Sequence, residues 1–190
     1  MKKENFLILA AFLLLGSFAW HLLPAASAPA TGAAQSAIIY FSQEDRAEEL
    51  AQELKRQTGA VLLPITAAEP YPSNIQLLEE RSYEERQRQY HPPILPISTD
   101  LSSYRRIYLV YPNWWNGLPM AVHTFLDTYD LAGKTIAPLC ISTGAGLSRT
   151  TEELHQAEPE AAILPALHIH AASDSIEEEI KAWLFTLQNA

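Results

Sequence analysis

One cysteine stands in the whole 190-residue sequence, and basic residues are few, with 13 Lys and Arg against 22 Asp and Glu. A lone Cys140 excludes an intramolecular disulfide. Its place in the apolar run Ile136–Ile141 makes it a structural thiol in a buried strand. The formal net charge of −9 becomes one unit more negative without Lys2, Lys3 and Glu4, which argues against a nucleic-acid partner. Metal-ligand spacing is also missing. His168 and His170 alternate and so share one face of a strand, but no third ligand clusters with them, and His91, His123 and His155 are scattered. A histidine pair satisfied by protein partners is the reading. No Ser-His-Asp or Cys-His arrangement can be placed at one strand end, so hydrolytic catalysis is not supported. Internal repeats and low-complexity tracts are absent as well.

What is present begins with a leader. Lys2 and Lys3 precede the apolar stretch Phe6–Leu23, and small residues follow up to Gly32. This is the architecture of a signal peptide or an N-terminal membrane anchor over residues 1–30. Ala28-Pro29-Ala30 followed by Thr31 offers a small-residue cleavage site, while the apolar stretch is near the minimum length of a spanning helix. No cysteine closes that stretch, which excludes a lipidated N-terminus. On either reading the rest of the chain, a linker at 31–35 and one domain at 36–190, is expected to be exported or membrane-anchored and extracytoplasmic. With 48% apolar and 18% charged residues, that domain can bury a core.

Within the domain the patterning alternates. Ser36–Ser42 is a short apolar run that suits a strand buried on both faces, and Ala47, Leu50, Ala51 and Leu54 then mark one face of a helix ending near Gly59. Val61–Ile65 is a second strand. Asn74–Tyr90 is a charged helix bracketed by Pro70, Pro72, Pro92 and Pro93. Arg106–Tyr111 is the third strand, and Val122, Phe125, Leu126 and Tyr129 give the next helix its face. Thr135–Ser142 and Ala162–Ile169 are the fourth and fifth strands. Thr150 with Glu153, and Ser175 with Glu178, have capping-box spacing for the last two helices. Five strands each followed by a helix, with no hairpin signals, predict a three-layer, doubly wound α/β domain on a five-stranded parallel sheet.

In such a sheet ligands bind beyond the carboxyl ends of the strands, where strand order reverses. Three loops are therefore privileged: Ser42–Arg46, Pro112–Pro119 and Thr143–Arg149. The second contains Trp114 and Trp115, and adjacent tryptophans cannot both bury against one core, so a planar ligand stacked on one of them accounts for the pair. The alternative is a satellite cluster of both rings under the loop. In the third loop Thr143, Gly144, Ala145 and Gly146 combine a hydroxyl with backbone N–H groups that a ligand can approach closely.

Through Ala37–Ser42, Tyr104–Trp115, Phe125–Lys134 and Ser142–Gly146 the sequence resembles the flavodoxin-like family, in particular its short bacterial members with a Trp-Trp loop, over nearly all of residues 36–187. The resemblance implies strand order 2-1-3-4-5 and a non-covalent FMN. By position, Pro112, Asn113, Trp114, Trp115, Asn116 and Gly117, with Thr143, Gly144, Ala145 and Gly146, would line the isoalloxazine ring. Ser42, Gln43, Glu44, Asp45, Arg46 and Ala47 would hold the phosphate. The implied function is electron transfer or FMN-dependent reduction, with an unidentified redox partner protein or small-molecule acceptor, and membrane contact through the N-terminal segment if it is uncleaved.

The phosphate loop departs from the family pattern of hydroxyl residues around a glycine. Glu44 and Ala47 replace hydroxyl residues, and Asp45 replaces the glycine. Two unit charges about 6 Å apart at an effective dielectric near 20 repel by roughly 3 kcal/mol, so carboxylates facing a phosphate would weaken binding severely. Acidic side chains in a first helical turn can instead point to solvent and favour the helix dipole, leaving Ser42, the helix N-terminus and Arg46 for the phosphate. The rival reading is a flavodoxin-like binding module that has lost FMN through this loop. The sign-alternating segment Leu78–Gln89 is expected to be a solvated helix with i, i+4 pairs; the resemblance implies that this inserted region approaches the flavin edge, where Tyr83 or Arg86 could influence substrate access.

Overall fold

The computed structural model describes residues 35–43 and 45–188. The leader, most of the linker and Glu44 lie outside the described residues. Strands β1 (Ser36–Tyr40), β2 (Val61–Pro64), β3 (Arg106–Pro112), β4 (Thr135–Ser142), β5 (Ala162–Ile163) and β6 (Leu167–His170) alternate with helices α1 (Asp45–Thr58), α2 (Ile75–Arg88), α3 (Met120–Thr128), α4 (Thr150–Ala157) and α5 (Ile176–Gln188). All pairings are parallel, in the order β2-β1-β3-β4-β5, with β6 also beside β4. That is the predicted strand order.

Side-chain alternation along the strands divides the core in two. Ala37, Ile39, Ile107, Leu109, Ile136 and Cys140 face Leu78 of α2, Val122 and Phe125 of α3 and Leu154 of α4. Ile38, Tyr108, Val110, Ala137, Leu139 and Ile141 face Leu50 and Leu54 of α1 and Ile180 and Trp183 of α5. A parallel sheet needs both faces covered, and strands without polar positions are the sequence sign of it. Each fully buried Leu or Ile here is worth about 1.5–3 kcal/mol relative to exposure.

Two expectations are corrected. The fifth strand is not continuous: Pro165, which lacks an N–H for a ladder, separates β5 from β6, and its carbonyl accepts from Trp183 Nε1 at 2.8 Å. The capping boxes are not formed as read. Helix α4 starts at Thr150, whose hydroxyl donates to the Leu147 carbonyl at 2.6 Å, while Arg149 at the cap position makes no side-chain cap bond. At α5 the serine hydroxyls of Ser173 and Ser175 bond Glu179, one residue beyond the expected partner.

The segment between β2 and β3 positions one wall of the site. It leaves and returns at one point, where Ala67 bridges Ile94 and the Leu95 N–H donates to the Thr66 carbonyl at 2.7 Å. The excursion carries α2, capped by the Asn74 side chain accepting from Leu77 N–H at 3.1 Å and closed by Gln89 in the left-handed region.

Candidate functional site

The carboxyl ends of β1, β3 and β4 lie side by side. Phe41 N–H donates to the Val110 carbonyl at 2.9 Å and Asn113 N–H to the Ile141 carbonyl at 2.8 Å, continuing the ladder into the loops. Beyond them opens a cleft of about 320 Å³. Its floor is Ser42, Gln43, Arg46 and Ala47 from the first loop, Pro112 to Trp115 from the second, and Ile141, Ser142 and Thr143 at the end of β4. Helix α2 closes the side with Ile75, Leu78, Glu79 and Ser82, a wall that strand-end reasoning alone does not supply.

The two tryptophans separate. Trp114 turns inward and packs edge-to-face on Phe41 and Tyr71, with ring centroids 5.2 and 5.4 Å away. Trp115 remains 42% exposed on the cleft rim, its Nε1 donating to the Ser82 hydroxyl at 3.0 Å and its ring set edge-on to Tyr83. The backbone explains the split. Trp115 and Asn116 have φ of 53° and 62°, and Trp114 and Gly117 exchange both N–H to carbonyl bonds at 3.0 Å, a two-residue turn with left-handed central residues. A tryptophan in that conformation costs about 1–3 kcal/mol, which surrounding contacts must offset.

Those contacts come from both neighbouring helices. Arg149 N–H donates to the Asn116 carbonyl at 3.2 Å, and the Ser148 hydroxyl to Asn116 Oδ1. On the other side a largely buried ion pair joins α2 to α4. Arg86 Nη2 bonds Glu153 Oε1, and Arg86 Nη1 donates to Glu153 Oε2 at 3.2 Å and reaches the Leu118 carbonyl at 3.4 Å. The Leu118 N–H donates to Glu153 Oε2 at 2.8 Å, and His123 Nε2 lies 3.4 Å from the same oxygen. Burial alone would raise the Glu153 carboxyl. The bonds from His123, Arg86 and Leu118 N–H, with the Arg86 charge, outweigh it and hold the group at about 2. Gly117 is required here because a Cβ would stand 1.9 Å from Arg86 Nη2.

Neither Arg86 nor Glu153 carries a local sign of this role. The solvated-helix reading of 78–89 is corrected for its inner face: Glu85 and Arg86 are buried, Tyr71 OH donates to Glu85 Oε2 at 2.6 Å, and Arg81 both pairs with Glu85 and lies over the Tyr71 ring. The exposed face does carry the expected Glu84–Arg88 pair.

Around the third loop, Asn113 Nδ2 donates to the Gly146 carbonyl at 2.8 Å, while Asn113 Oδ1 is buried with no protein partner. The Ser142 hydroxyl accepts from Gly146 N–H at 3.1 Å and bonds His168 Nε2 at 2.8 Å. His170 Nε2 bonds the Thr143 carbonyl at 2.9 Å, so both strand histidines have protein partners. No cluster able to hold a metal ion occurs among the described residues. Cys140 lies buried beneath this loop, and burial pushes its thiol up to about 12.

Of the sequence-predicted residues, Ser42, Gln43, Arg46, Ala47, Pro112, Asn113, Trp114, Trp115 and Thr143 meet in the cleft lining. Asn116, Gly117, Gly144, Ala145 and Gly146 stand behind it, shaping the two loops, with Gly146 at φ 60°. Arg46 is the cation among the lining residues, and its guanidinium already donates to the carbonyls of Ala171 at 2.9 Å and Ser173 at 2.6 Å.

The sequence pattern of the flavodoxin family matches residues 35–187, the whole sheet and its helices. The chain belongs to the flavodoxin family. Among solved structures it is similar to a candidate flavoprotein from Bacteroides eggerthii, with 26% identity, 81% of this chain and 98% of that chain covered, and a TM-score of 0.72. A second, from Bacteroides uniformis, has 24% identity, coverage of 80% and 97%, and a TM-score of 0.71. A Lactobacillus acidophilus flavoprotein solved in complex with FMN shares the fold at 15% identity, coverage of 80% and 99%, and a TM-score of 0.66. No curated protein matches the chain. Within this flavodoxin-family fold, α2 does stand at the cleft, through Ile75, Leu78, Glu79 and Ser82 rather than Tyr83 or Arg86, and the Arg86–Glu153 pair is the part that sequence reasoning did not reach.

Proposed function

We propose that the cleft binds FMN non-covalently and that the protein works in electron transfer or FMN-dependent reduction. The observation that carries this reading is the convergence of all three strand-end loops on one cleft with an exposed aromatic face, Trp115, on its rim. The ring end fits a flavin: Trp115 offers a stacking face, Ile75 and Leu78 offer an apolar wall, and the orphaned Asn113 Oδ1 offers an acceptor to a ring N–H. The phosphate end relies on Ser42 and the backbone N–H groups at the start of α1. Bound FMN supplies reversible electron and hydride transfer, and the chain's part is to hold the ring, exclude water and set its electrostatics. A redox partner protein or a small-molecule acceptor completes the reaction.

The second reading, a binding module without FMN, is favoured by the acidic residues of the first loop and by the engagement of Arg46 with the Ala171 and Ser173 carbonyls. Titrating the purified protein with FMN while following flavin and tryptophan fluorescence decides between them. Saturable one-to-one quenching at micromolar FMN or tighter supports the first reading; no quenching of a folded protein at far higher FMN supports the second. We place the domain outside the cytoplasmic membrane, on the Lys2-Lys3 and Phe6–Leu23 pattern of the leader. Among the described residues no helix is long and apolar enough to cross a membrane. Protease digestion of intact spheroplasts, which should degrade the domain, tests that placement.

A further inference from the structure

Residues of the second loop that line the cleft are held by a group that does not line it. We propose that Arg86 and Glu153 are a positioning pair for Trp115, fixing the left-handed turn that presents its indole to the cleft and thereby setting flavin affinity. The inference rests on the FMN reading of the cleft for its functional consequence, though not for its structural one.

The geometry is specific to the turn. Leu118 follows Gly117 directly, and both of its backbone polar groups are directed to the pair: its N–H to Glu153 Oε2 at 2.8 Å and its carbonyl toward Arg86 Nη1 at 3.4 Å. Gly117 lies against the guanidinium with no room for a Cβ, so the chain cannot relax toward α2. The turn is therefore pressed against one side of the ion pair, while Trp114 and Gly117 close it from within. Arg86 also stands one helical turn beyond Ser82, the residue that accepts the Trp115 indole N–H, so the same stripe of α2 holds both the turn and the ring. A buried ion pair adds little net stability compared with apolar residues of similar size, but removing one partner alone is disruptive. The pair's contribution is geometric: its oriented bonds specify one loop conformation, which apolar side chains would not.

This distinction supplies the test. The double variant Arg86→Met/Glu153→Leu keeps an apolar, volume-matched contact between α2 and α4 while removing every bond to Leu118. The emission of Trp115 itself is obtained by subtracting that of a matching Trp115→Phe protein. The expected result is a folded double variant in which Trp115 emission shifts to the red and its quenching by acrylamide rises toward that of a free indole. FMN affinity should fall about tenfold or more, as for a site whose supporting shell is loosened. Unchanged Trp115 emission and unchanged FMN affinity in the folded double variant would overturn the proposal. Should that variant not fold, Arg86→Gln/Glu153→Met, which also removes the acceptor of the Leu118 N–H but leaves a polar group facing the Leu118 carbonyl and no unpaired charge, is read in the same two ways. If the unsubstituted protein fails to bind FMN, the FMN reading fails alone, because the acrylamide measurement on the cofactor-free protein still decides the positioning role.

Discussion

The indole N–H of Trp115 and the hydroxyl of Ser82 form a 3.0 Å hydrogen bond that ties the rim of the second loop to helix α2. Ser82 at the same time donates to the Glu79 carbonyl at 3.1 Å, so its hydroxyl is oriented to accept. Replacing Ser82 by Ala removes the anchor at a cost of about 0.5–1.5 kcal/mol in loop order. Because Trp115 is exposed, its N–H can rehydrate and the fold should persist. An FMN titration should show binding weakened by about two- to tenfold. Unchanged affinity would mean that the ring is held without Ser82.

Two of the three glycines of the predicted flavin loops, Gly117 and Gly144, should respond very differently to alanine. At Gly117 the new Cβ meets Arg86 Nη2 at 1.9 Å and Glu153 Oε1 at 2.6 Å, which forces the buried pair apart. About 3 kcal/mol of stability should be lost, lowering the melting temperature by about 10 °C. Gly144 faces open space, and Gly144→Ala should stay within about 0.5 kcal/mol of the original protein. Thermal melts of the two variants side by side check the contrast.

Two carboxyls, the half-buried Glu153 and the buried Glu158, should give the stability profile opposite slopes in different pH windows. Glu153, held at about 2 against an ordinary 4.5, contributes stability that is present above about pH 4.5 and lost as the pH falls toward 2. Glu158 is raised to about 7 by burial and by the charges of Asp130 and Asp127, so its contribution is present below about pH 4.5 and lost as the pH rises through 7. Urea midpoints measured from pH 2.5 to 8.5 should fall at both ends. Glu158→Gln should remove the loss on the alkaline side, and its midpoint at pH 8 should exceed that of the unsubstituted protein. A midpoint no higher at pH 8 would contradict the assignment.

The first loop should be improvable as a phosphate site. Ala47 is 3% exposed and belongs to the core beneath α1 as well as to the cleft, so a hydroxyl there would disturb packing. Glu44→Ser with Asp45→Gly avoids that position and removes both negative charges. FMN binding should tighten about tenfold or more, with a weaker dependence on salt, because screening matters less once repulsion is gone. Equal affinity and equal salt dependence would show that these carboxylates do not face the phosphate.

The sheet was legible because its information is local. Apolar runs such as Thr135–Ser142 coincide with β4 over its full length, and Asn74 marks the start of α2 as its side chain requires. The cleft followed from strand order, since adjacent strand ends bring their loops together whatever the loops contain. Glu153 shows where local reading stops. Three residues after a threonine, it has the spacing of a capping partner, yet the helix begins at Thr150 itself and the carboxylate turns to a guanidinium 67 residues earlier in the chain. Arg86 was hidden in the same way by a helix rich in i, i+4 charge pairs, because sign alternation describes neighbours along a helix and not what the inner face meets. Pro165 stands inside the run read as the fifth strand, and its missing N–H separates β5 from β6 although apolar residues flank it on both sides.

The broken fifth strand also bears on how the molecule behaves in company. A sheet ends in two rims whose spare N–H and carbonyl groups can recruit a strand from another copy, the usual first step of ordered aggregation. Here one rim, β2, is four residues long and ends in Pro64, and the other is cut by Pro165 into stretches of two and four residues. Neither offers a run long enough to template a foreign strand. The interruption therefore leaves the β5–β6 rim without a long row of spare N–H and carbonyl groups.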